Sequence, residues 1–376
     1  MNRLRMVTIC LLAMMAASLS VKAQEVTISL LPGWTWISYP GTEPVDIVTA
    51  FGSFTPMEGD VIESQFGIVN YIEGEWLGDF NQFYPGYGYL YYSNRPMTVL
   101  VTFNVQQPDP QGDVPVGAIN GLFSVSATQQ VYFSQGNLQY QASTDTWRFA
   151  ENQWDFLGND NRNISSTYSG WIDLFGWGTS GWDCGNTYYH PWDSNNSSGS
   201  HYGRPGAGDL IGAYANADWG VYNPISNGGN TTNTWRTLLR EEWNYVFNTR
   251  STVSGIRYAK AQVNDVNGVI LLPDDWTTDT YNLSNADNGD VDFSSNIISA
   301  TDWTTLENAG AVFLPAAGYR FGTTVGHFGT CGYYWSASYF NSSYACLLSF
   351  KPASASTANA SNRSYGRSVR VVCPVE

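Results

Sequence analysis

The sequence predicts an α+β fold that is mostly β. Short runs that alternate apolar and polar residues, as at residues 26–30, have the period of β-strands. The 37 glycines and 16 prolines supply frequent turns between such runs. Residues 237–248 differ, because they place Trp243, Val246 and Phe247 at helical spacing. A few short helices are therefore expected on a loop-rich antiparallel core.

Residues 1–23 have the features of a signal peptide. Arg3 and Arg5 precede an apolar run at residues 6–17, and the small residue Ala23 ends a cleavage site. The apolar run is too short to span a membrane as a helix. The expected mature protein is therefore secreted, extracellular or at the outer cell surface, with the periplasm as an alternative location.

The charge balance restricts the partners. The whole chain has a formal net charge of -15. Removal of Arg3, Arg5 and Lys22 leaves 14 basic residues against 32 acidic ones, a net charge of about -18. Such a surface repels nucleic acid and anionic lipid, so neither nucleic acid nor membrane insertion is expected. Charged residues make up only 13% of the chain and aromatic residues 15%, a composition typical of secreted β-rich binding proteins. The alternative is that the Trp and Tyr side chains simply fill two cores with many loops.

Residues 24–105 are predicted to form a small β-rich domain. Its expected elements are strands at residues 26–30, 34–39, 85–92 and 97–105, a short helix at 45–51, and a hairpin that turns at residues 73–74. The segment contains no catalytic motif, so a supporting role is expected. Residues 106–116 are polar and proline-rich, and they are predicted to be a semi-rigid linker.

Residues 117–376 are predicted to form the second domain. Its expected elements are strands at residues 131–133, 138–141, 146–149, 269–272, 312–314 and 366–372, helices at 237–248 and 303–308, and a long loop region at 158–224. The second and third of these strands are expected to pair as a hairpin. The domain is thus predicted to have short helices on a loop-rich antiparallel core.

Four motifs in this domain carry a family resemblance. They are WRTLLREEW at residues 235–243, GAVFLPAAG at 310–318, YWS at 334–336 and GRSVR at 366–370. Occurring in this order, they resemble the secreted "major paralogous domain" family of Bacteroidetes and Fibrobacter. That family shares the C-type lectin-like fold of formylglycine-generating enzymes. The resemblance implies a C-type lectin-like fold from about residue 117 to the end.

The chain departs from this family pattern at the start of the predicted helix. Relatives often place Ser or Thr where Leu239 stands, which with Glu242 would complete a capping box. Leu239 has no polar side chain to cap the helix. The amides at the helix start are therefore expected to be less well hydrogen-bonded, at a cost of about 1 kcal/mol in stability.

The segment at residues 333–370 also resembles the variable region of proteins diversified by diversity-generating retroelements. Such elements mutate template adenines, so that Asn codons come to encode many other residues. Lys351 does not arise from those codons by this route. Two explanations therefore stay open: diversification by a retroelement, or an ordinary paralogue that changed by duplication and drift.

This C-terminal segment is also the predicted ligand-binding site. Its aromatic residues would supply rigid contact area, and its hydroxyl and amide side chains would supply adaptable hydrogen bonds. The predicted contacts are Tyr339, Phe340, Ser342, Ser343, Tyr344, Leu347, Ser349, Lys351, Ser354, Ser356, Thr357, Asn359, Ser361, Ser364 and Tyr365. The expected function is non-catalytic, adhesin-like binding of a protein or glycan on another cell, a phage or a host surface. The alternative is a structural subunit of a pilus or matrix.

The resemblance to formylglycine-generating enzymes implies a second alternative, a thiol oxidase. Cys331 and Cys346 are the only close cysteine pair. However, strand alternation at residues 344–351 would point Cys346 inward, and Ser349 and Lys351 outward. Cys346 is therefore expected to be a core residue or a disulfide partner rather than a nucleophile. With Cys184 and Cys373, four mature cysteines allow three pairings.

Metal and cofactor sites are not expected from the remaining motifs. His190, His201 and His327 have a spacing that matches no established metal pattern. Residues 287–292 (DNGDVD) offer oxygen ligands around a glycine, as calcium loops do, but lack a bidentate glutamate. A turn with solvated acids is the favoured interpretation, and Ca²⁺ is the alternative.

Overall fold

The computed structural model describes residues 26–39, 44–52, 54–84, 87–103, 114–193 and 198–375. The chain divides into two compact units, Met1–Asp113 and Val114–Glu376. With 37% strand and 15% helix, the prediction of a mostly β, α+β protein is confirmed. The predicted signal peptide and residues 106–113 of the predicted linker lie outside the described residues. Among the residues that are described, no helix has the length and apolar character needed to cross a membrane.

The N-terminal unit is built around a five-stranded antiparallel sheet. Its elements are β1 Val26–Leu30, β2 Gly33–Ser38, β3 Val45–Asp46, α1 Ile47–Phe51, β4 Val61–Ser64, β5 Gly67–Ile72, β6 Glu75–Gly78, β7 Gln82–Phe83, β8 Gly88–Ser93 and β9 Val99–Phe103. The sheet has the order β2-β8-β4-β5-β6, and β1 pairs with β9 and β3 with β7. The predicted helix at residues 45–51 begins only at Ile47, because Asp46 caps it and pairs with Gln82 in β7.

The two faces of the five-stranded sheet have different environments. One face covers a core in which Phe51 contacts the rings of Phe83 and Tyr91. The other face presents Trp34 and Trp36 of β2, which are 49% and 79% exposed. Strand alternation accounts for this, since β2 turns every second residue towards the core and the residues between them outward.

Within residues 114–193 and 198–375, the C-terminal unit contains five small sheets and three short α-helices. Its strands are β10 Ala118–Ser124, β11 Gln130–Ser134, β12 Leu138–Gln141, β13 Thr146–Phe149, β14 Arg236–Thr237, β15 Tyr258–Val263, β16 Val266–Leu271, β17 Ile297–Ile298, β18 Val312–Pro315, β19 Tyr319–Phe321, β20 Thr324–Gly326, β21 Gly332–Tyr339, β22 Tyr344–Lys351, β23 Ser354–Asn362 and β24 Val371–Pro374. Its α-helices are α2 Trp219–Tyr222, α3 Arg240–Asn244 and α4 Ala300–Asn308. Short 3₁₀ helices lie at Ala142–Thr144, Gly158–Arg162, Gly199–His201, Gly212–Ala217 and Phe293–Ser295. The sheets have the orders β10-β11-β24-β14, β12-β13, β17-β15-β16-β18, β19-β20 and β21-β22-β23.

Most predicted strands of this unit form as expected, including the β12–β13 hairpin. Two predictions need correction. The closing strand begins at Val371 rather than at 366, because residues 366–368 form isolated bridges to three other segments. The helix predicted at residues 237–248 begins only at Arg240, because Arg236–Thr237 pair with β24. It then continues as a π-helix over Tyr245–Thr249.

The start of α3 is bonded by one residue of the helix and by one from a distant strand. The Leu239 amide donates to Glu242 Oε2 at 2.7 Å, and the Arg240 amide donates to Ser338 Oγ in β21 at 3.0 Å. Glu242 is itself fixed by Arg236, at 2.6 and 2.7 Å. As predicted, the Leu239 side chain caps no amide of the helix, but the Leu239 and Arg240 amides do find acceptors. A hydroxyl from a distant strand bonds an amide that the local sequence leaves uncapped.

The sheet β21-β22-β23 separates two hydrophobic clusters and positions the predicted site. Leu348 and Phe350 of β22 pack into the cluster on one side. Ala345 and Leu347 of the same strand pack into the cluster on the other. Because β22 is the central strand and is covered on both faces, only its ends reach the surface.

Candidate functional site

The hairpin tip, defined as residues 339–344 between β21 and β22, is the most exposed part of the predicted site. The Phe340 side chain is 51% exposed and that of Tyr344 is 42% exposed. The Phe340 amide donates to the Tyr344 carbonyl at 3.2 Å. Asn341 Oδ1 accepts bonds from the amides of Ser343 and Tyr344, at 3.0 and 2.9 Å. The tip therefore presents two aromatic rings on a turn that is hydrogen-bonded within itself.

The buried guanidinium of Arg363 holds the hairpin tip from below. It donates to the carbonyls of Asn341 at 2.7 Å and Tyr344 at 3.3 Å. It also lies over the rings of Trp177 and Tyr339, 4.5 and 4.7 Å from their centroids. Burial lowers the pKa of Arg363 to about 10, which still leaves it charged at neutral pH. One cation thus connects both sides of the turn to the core.

A second arginine organises the tyrosine cluster, which consists of Tyr319, Tyr333 and Tyr365 around Arg367. The guanidinium carbon lies 4.1 Å from the ring centroid of Tyr333, 5.1 Å from that of Tyr319 and 5.2 Å from that of Tyr365. Nη2 donates to Ser361 Oγ at 2.8 Å, whereas Nε and Nη1 have no hydrogen-bond partner. The aromatic faces thus take the place of a carboxylate for this buried cation. Burial lowers the pKa of Arg367 to about 10 and raises that of Tyr333 to about 12.

The structure does not bring the predicted residues into one surface. Tyr344 and Lys351 are the two ends of β22, so roughly 23 Å separate them at the usual rise per strand residue. The exposed or half-exposed residues fall into three groups. These are Tyr339, Phe340, Ser342, Ser343 and Tyr344 at the hairpin tip, Lys351, Ser354, Ser356 and Asn359 at the far end of β22 and along β23, and Tyr365 in the tyrosine cluster.

Five predicted contact residues are buried and cannot form a surface in this conformation. They are Leu347, Ser349, Thr357, Ser361 and Ser364. The prediction that Ser349 points outward was wrong, because neighbouring strands and two cores cover the central strand β22 on both faces. Ser349 Oγ instead accepts a bond from Asn359 Nδ2 at 2.5 Å. Thr357 bonds to Asn244 of α3 at 3.2 Å.

Two residues important to the site were missing from the predicted contacts. Arg363 and Arg367 lie within the segment, but their roles depend on rings from distant parts of the chain, such as Trp177 and Tyr319. One signal in the sequence could have indicated them. Basic residues are scarce in this chain, so two of them within an aromatic, Ser-rich segment suggest cations that are held by rings and carbonyls.

Cys331 and Cys346, the close cysteine pair of the sequence, are not joined by a disulfide. Cys346 is 2% exposed, as expected for a core residue, and burial raises the pKa of its thiol. Cys331 is also buried and lies beside Tyr333. Cys184, Cys331 and Cys346 are free thiols. Because a thiolate is the nucleophilic form, a raised pKa disfavours reactivity at Cys346.

A lysine ammonium from β15 bonds the loop at residues 287–292, which was given as the calcium alternative. Lys260 Nζ donates to the carbonyls of Gly289 at 2.6 Å, Val291 at 2.8 Å and Lys351 at 2.5 Å. Asp287 forms an ion pair with Arg257 at 3.0 Å. The described residues include no group of three or more His, Cys, Asp or Glu side chains placed to hold a metal. The ammonium links this loop to the turn between β22 and β23.

His190, one of the three histidines considered as metal ligands, lies in an aromatic stack. The His190 ring lies 4.5 Å from that of Trp192 with an interplanar angle of 8°, and 4.2 Å from that of Tyr189. The His190 amide donates to Asp193 at 2.8 Å. These contacts fix the loop through stacking.

The clefts of the C-terminal unit lie mostly outside the predicted contacts. A cleft of about 590 Å³ is lined by residues that include Ser124, Gln130 and Arg236. A second cleft of about 380 Å³ shares Arg236 with it. A third, of about 240 Å³, lies between α3 and β23 and is lined in part by Thr357. Arg236 forms a bidentate ion pair with Glu242, so its charge is already compensated.

No protein-family profile, curated protein or solved structure matches this chain. The resemblance to the major paralogous domain family therefore remains a prediction that rests on the four sequence motifs.

Proposed function

We propose that this protein is a secreted, non-catalytic binding protein with a C-type lectin-like C-terminal domain. It binds a protein or glycan on another cell, a phage or a host surface through the hairpin tip. One observation carries the proposal. Phe340 and Tyr344 are exposed on a turn that Arg363 and Asn341 already hold in place.

The physical argument is one of preorganisation. An exposed aromatic ring offers a large contact area with few torsions to freeze on binding. The turn that carries the rings is fixed by hydrogen bonds before a ligand arrives, so less ordering entropy is lost on association. Ser342 and Ser343 belong to the same turn, and their hydroxyls can adapt their hydrogen bonding to different ligands.

The burial pattern also bears on the proposed diversification. Exposed positions such as Phe340, Ser342 and Tyr344 can accept many residues without loss of packing. Buried positions such as Leu347 cannot, because core substitutions of changed volume cost several kcal/mol. If a retroelement diversifies this segment, its tolerated changes should concentrate at the hairpin tip and along the exposed part of β23. An adenine-rich near-copy of this coding stretch beside a reverse transcriptase gene would support that origin.

The test compares matched surface variants of the full mature chain. Labelled wild type is applied to a glycan array and to panels of bacterial, phage and epithelial surfaces. We expect the Phe340→Ala/Tyr344→Ala variant to lose at least tenfold in affinity for whichever surface the wild type binds. Val253→Ala/Ile297→Ala, which removes two exposed apolar side chains elsewhere in the same unit, should bind as wild type does. Unchanged binding by the tip variant would refute the proposal.

The oxidase alternative makes a separate prediction. It requires a thiol that reacts with an alkylating reagent in the folded protein. The burial of Cys331 and Cys346, and the raised pKa of Cys346, support the non-catalytic proposal over this alternative.

A further inference from the structure

Strand β2 lies at an edge of the five-stranded sheet of the N-terminal unit. In the order β2-β8-β4-β5-β6 it has a neighbour on one side only, and the described residues place no strand on its other side. Its six residues, GWTWIS, contain no charge and no proline. Edge strands usually carry a charged residue or a proline. These residues prevent association, because an open row of N–H and C=O groups pairs readily with another strand.

The side chains of β2 add an exposed aromatic surface at this edge. Trp36 is 79% exposed and Trp34 is 49% exposed, on the same face. Trp34 packs edge-on against Tyr92 of β8, with ring centroids 5.2 Å apart. The core of the unit is formed by the other face of β2, through Ile37. The two tryptophans lie outside the core cluster of this domain, and their exposed surface is available to a partner.

The neighbouring linker sequence is poorly suited to cover this edge. Pro108 and Pro110 occupy alternate positions of the linker, so two N–H groups that would face one side of an extended strand are missing. The linker is therefore not expected to pair fully with β2.

We propose that β2 pairs antiparallel with β2 of a second copy of this chain, about a two-fold axis at Thr35. The sequence Trp34-Thr35-Trp36 reads the same in both directions. A two-fold axis at its centre therefore places Trp34 of each copy opposite Trp36 of the other copy, which gives two tryptophan pairs. The pairing would join two five-stranded sheets into one of ten strands. It also brings two acidic chains together at an uncharged segment, where like-charge repulsion is smallest.

The area available predicts a reversible dimer. If a fully exposed Trp side chain offers about 250 Å², the two side chains together expose on the order of 300 Å² per copy. A standard stable interface buries about 800 Å² per partner. Backbone pairing supplies further contacts, but association should still depend on protein concentration. If the proposed function also holds, each dimer carries two hairpin tips, and binding to a multivalent surface gains avidity.

Sedimentation velocity of the full mature chain over a range of concentrations tests the pairing. We expect a monomer–dimer equilibrium for the wild type, and monomer at every concentration for Trp36→Lys, whose charge would lie in the tryptophan pairs. Leu77→Lys is the matched control, because Leu77 is 51% exposed on β6, the opposite edge of the same sheet. It should dimerise as wild type does. A monomeric wild type, or a Trp36→Lys variant that still dimerises, would overturn the proposal.

A disulfide trap tests the register independently. At a two-fold axis on Thr35 the two Cα atoms lie about 4.5–5.5 Å apart, which is within the range that a disulfide bridges. Thr35→Cys should give a covalent dimer on mild oxidation. Thr102→Cys, at an exposed position of β9, should give only the background that Cys184 produces. Equal yields from both variants would contradict the two-fold register.

Two other outcomes would indicate a different role for β2. Polymers larger than dimers would favour an open structural assembly. Adsorption of a monomer to insoluble polysaccharide that depends on Trp36 would favour a glycan-binding surface. Either result overturns the two-fold dimer.

Discussion

Replacing Arg363 with Met should loosen the hairpin tip and lower the free energy of unfolding by about 2–3 kcal/mol. The side chain is 1% exposed, so Met fills much of the same space while removing the charge and the hydrogen bonds. The carbonyls of Asn341 and Tyr344 then lose their shared donor. Since these carbonyls belong to the turn itself, we expect the change to affect the proposed site as well as global stability.

The magnitude follows from the contacts of the guanidinium. The 2.7 Å bond to the Asn341 carbonyl is charge-assisted and contributes about 2 kcal/mol. The two longer bonds, to Tyr344 and Tyr202 at 3.3 and 3.4 Å, contribute about 1 kcal/mol together. Stacking on Trp177 and Tyr339 contributes about 1 kcal/mol for each ring. Against this, Met avoids part of the desolvation cost of a buried cation, on the order of 2–3 kcal/mol.

The assay is denaturant unfolding combined with amide hydrogen exchange. In the Arg363→Met variant the amides of Ser343 and Tyr344 should exchange faster, because the acceptor Asn341 is no longer anchored. Arg162→Met is the control: Arg162 is exposed, and its guanidinium donates to Asn159 within its own turn. An unchanged unfolding midpoint and unchanged exchange at the tip would refute the role assigned to Arg363.

Three further predictions concern the frame around the site. Burial raises the pKa of Asp173 and of Asp218 from 3.8 to about 6 in the folded protein. Each protonated carboxyl therefore contributes to the free energy of unfolding below pH 3.8. That contribution, about 3 kcal/mol per group, is lost as the pH rises through 6. Asp→Asn at either site should flatten this dependence in unfolding titrations, and an unchanged slope would contradict the assignment. Ser338→Ala should cost about 1 kcal/mol, since the Arg240 amide loses its acceptor, and an unchanged unfolding midpoint would count against that cap. Cys346 should resist alkylation in the folded protein and react after unfolding, as mass spectrometry would show; rapid labelling of native protein would revive the oxidase alternative.

Local sequence was sufficient where neighbouring residues decide the conformation. The hairpin at residues 138–149 forms as predicted, because strand alternation and a short turn act over adjacent residues. The apolar face of the helix around Trp243 and Val246 was also correct, since a helical period is visible in one segment. The inward position of Cys346 followed from the same kind of local pattern.

Features that depend on distant residues were not predictable in this way. The start of α3 depends on Ser338, which lies 98 residues further along the chain. The burial of Ser349 depends on β22 being the central strand between two cores, whereas alternation alone assumes one solvent face. The roles of Arg363 and Arg367 depend on tyrosines and tryptophans from other segments.

The sequence by itself determined the fold class, the acidic and aromatic character of the surface, and the C-terminal segment as the region of interest. Only the tertiary structure decided which residues of that segment reach solvent, because burial is set by the elements that pack on both faces of a strand. It divided the predicted site into separate groups, with Phe340 and Tyr344 on a braced turn. It also exposed the edge of β2, since the order of strands in a sheet depends on long-range pairing that no local period encodes.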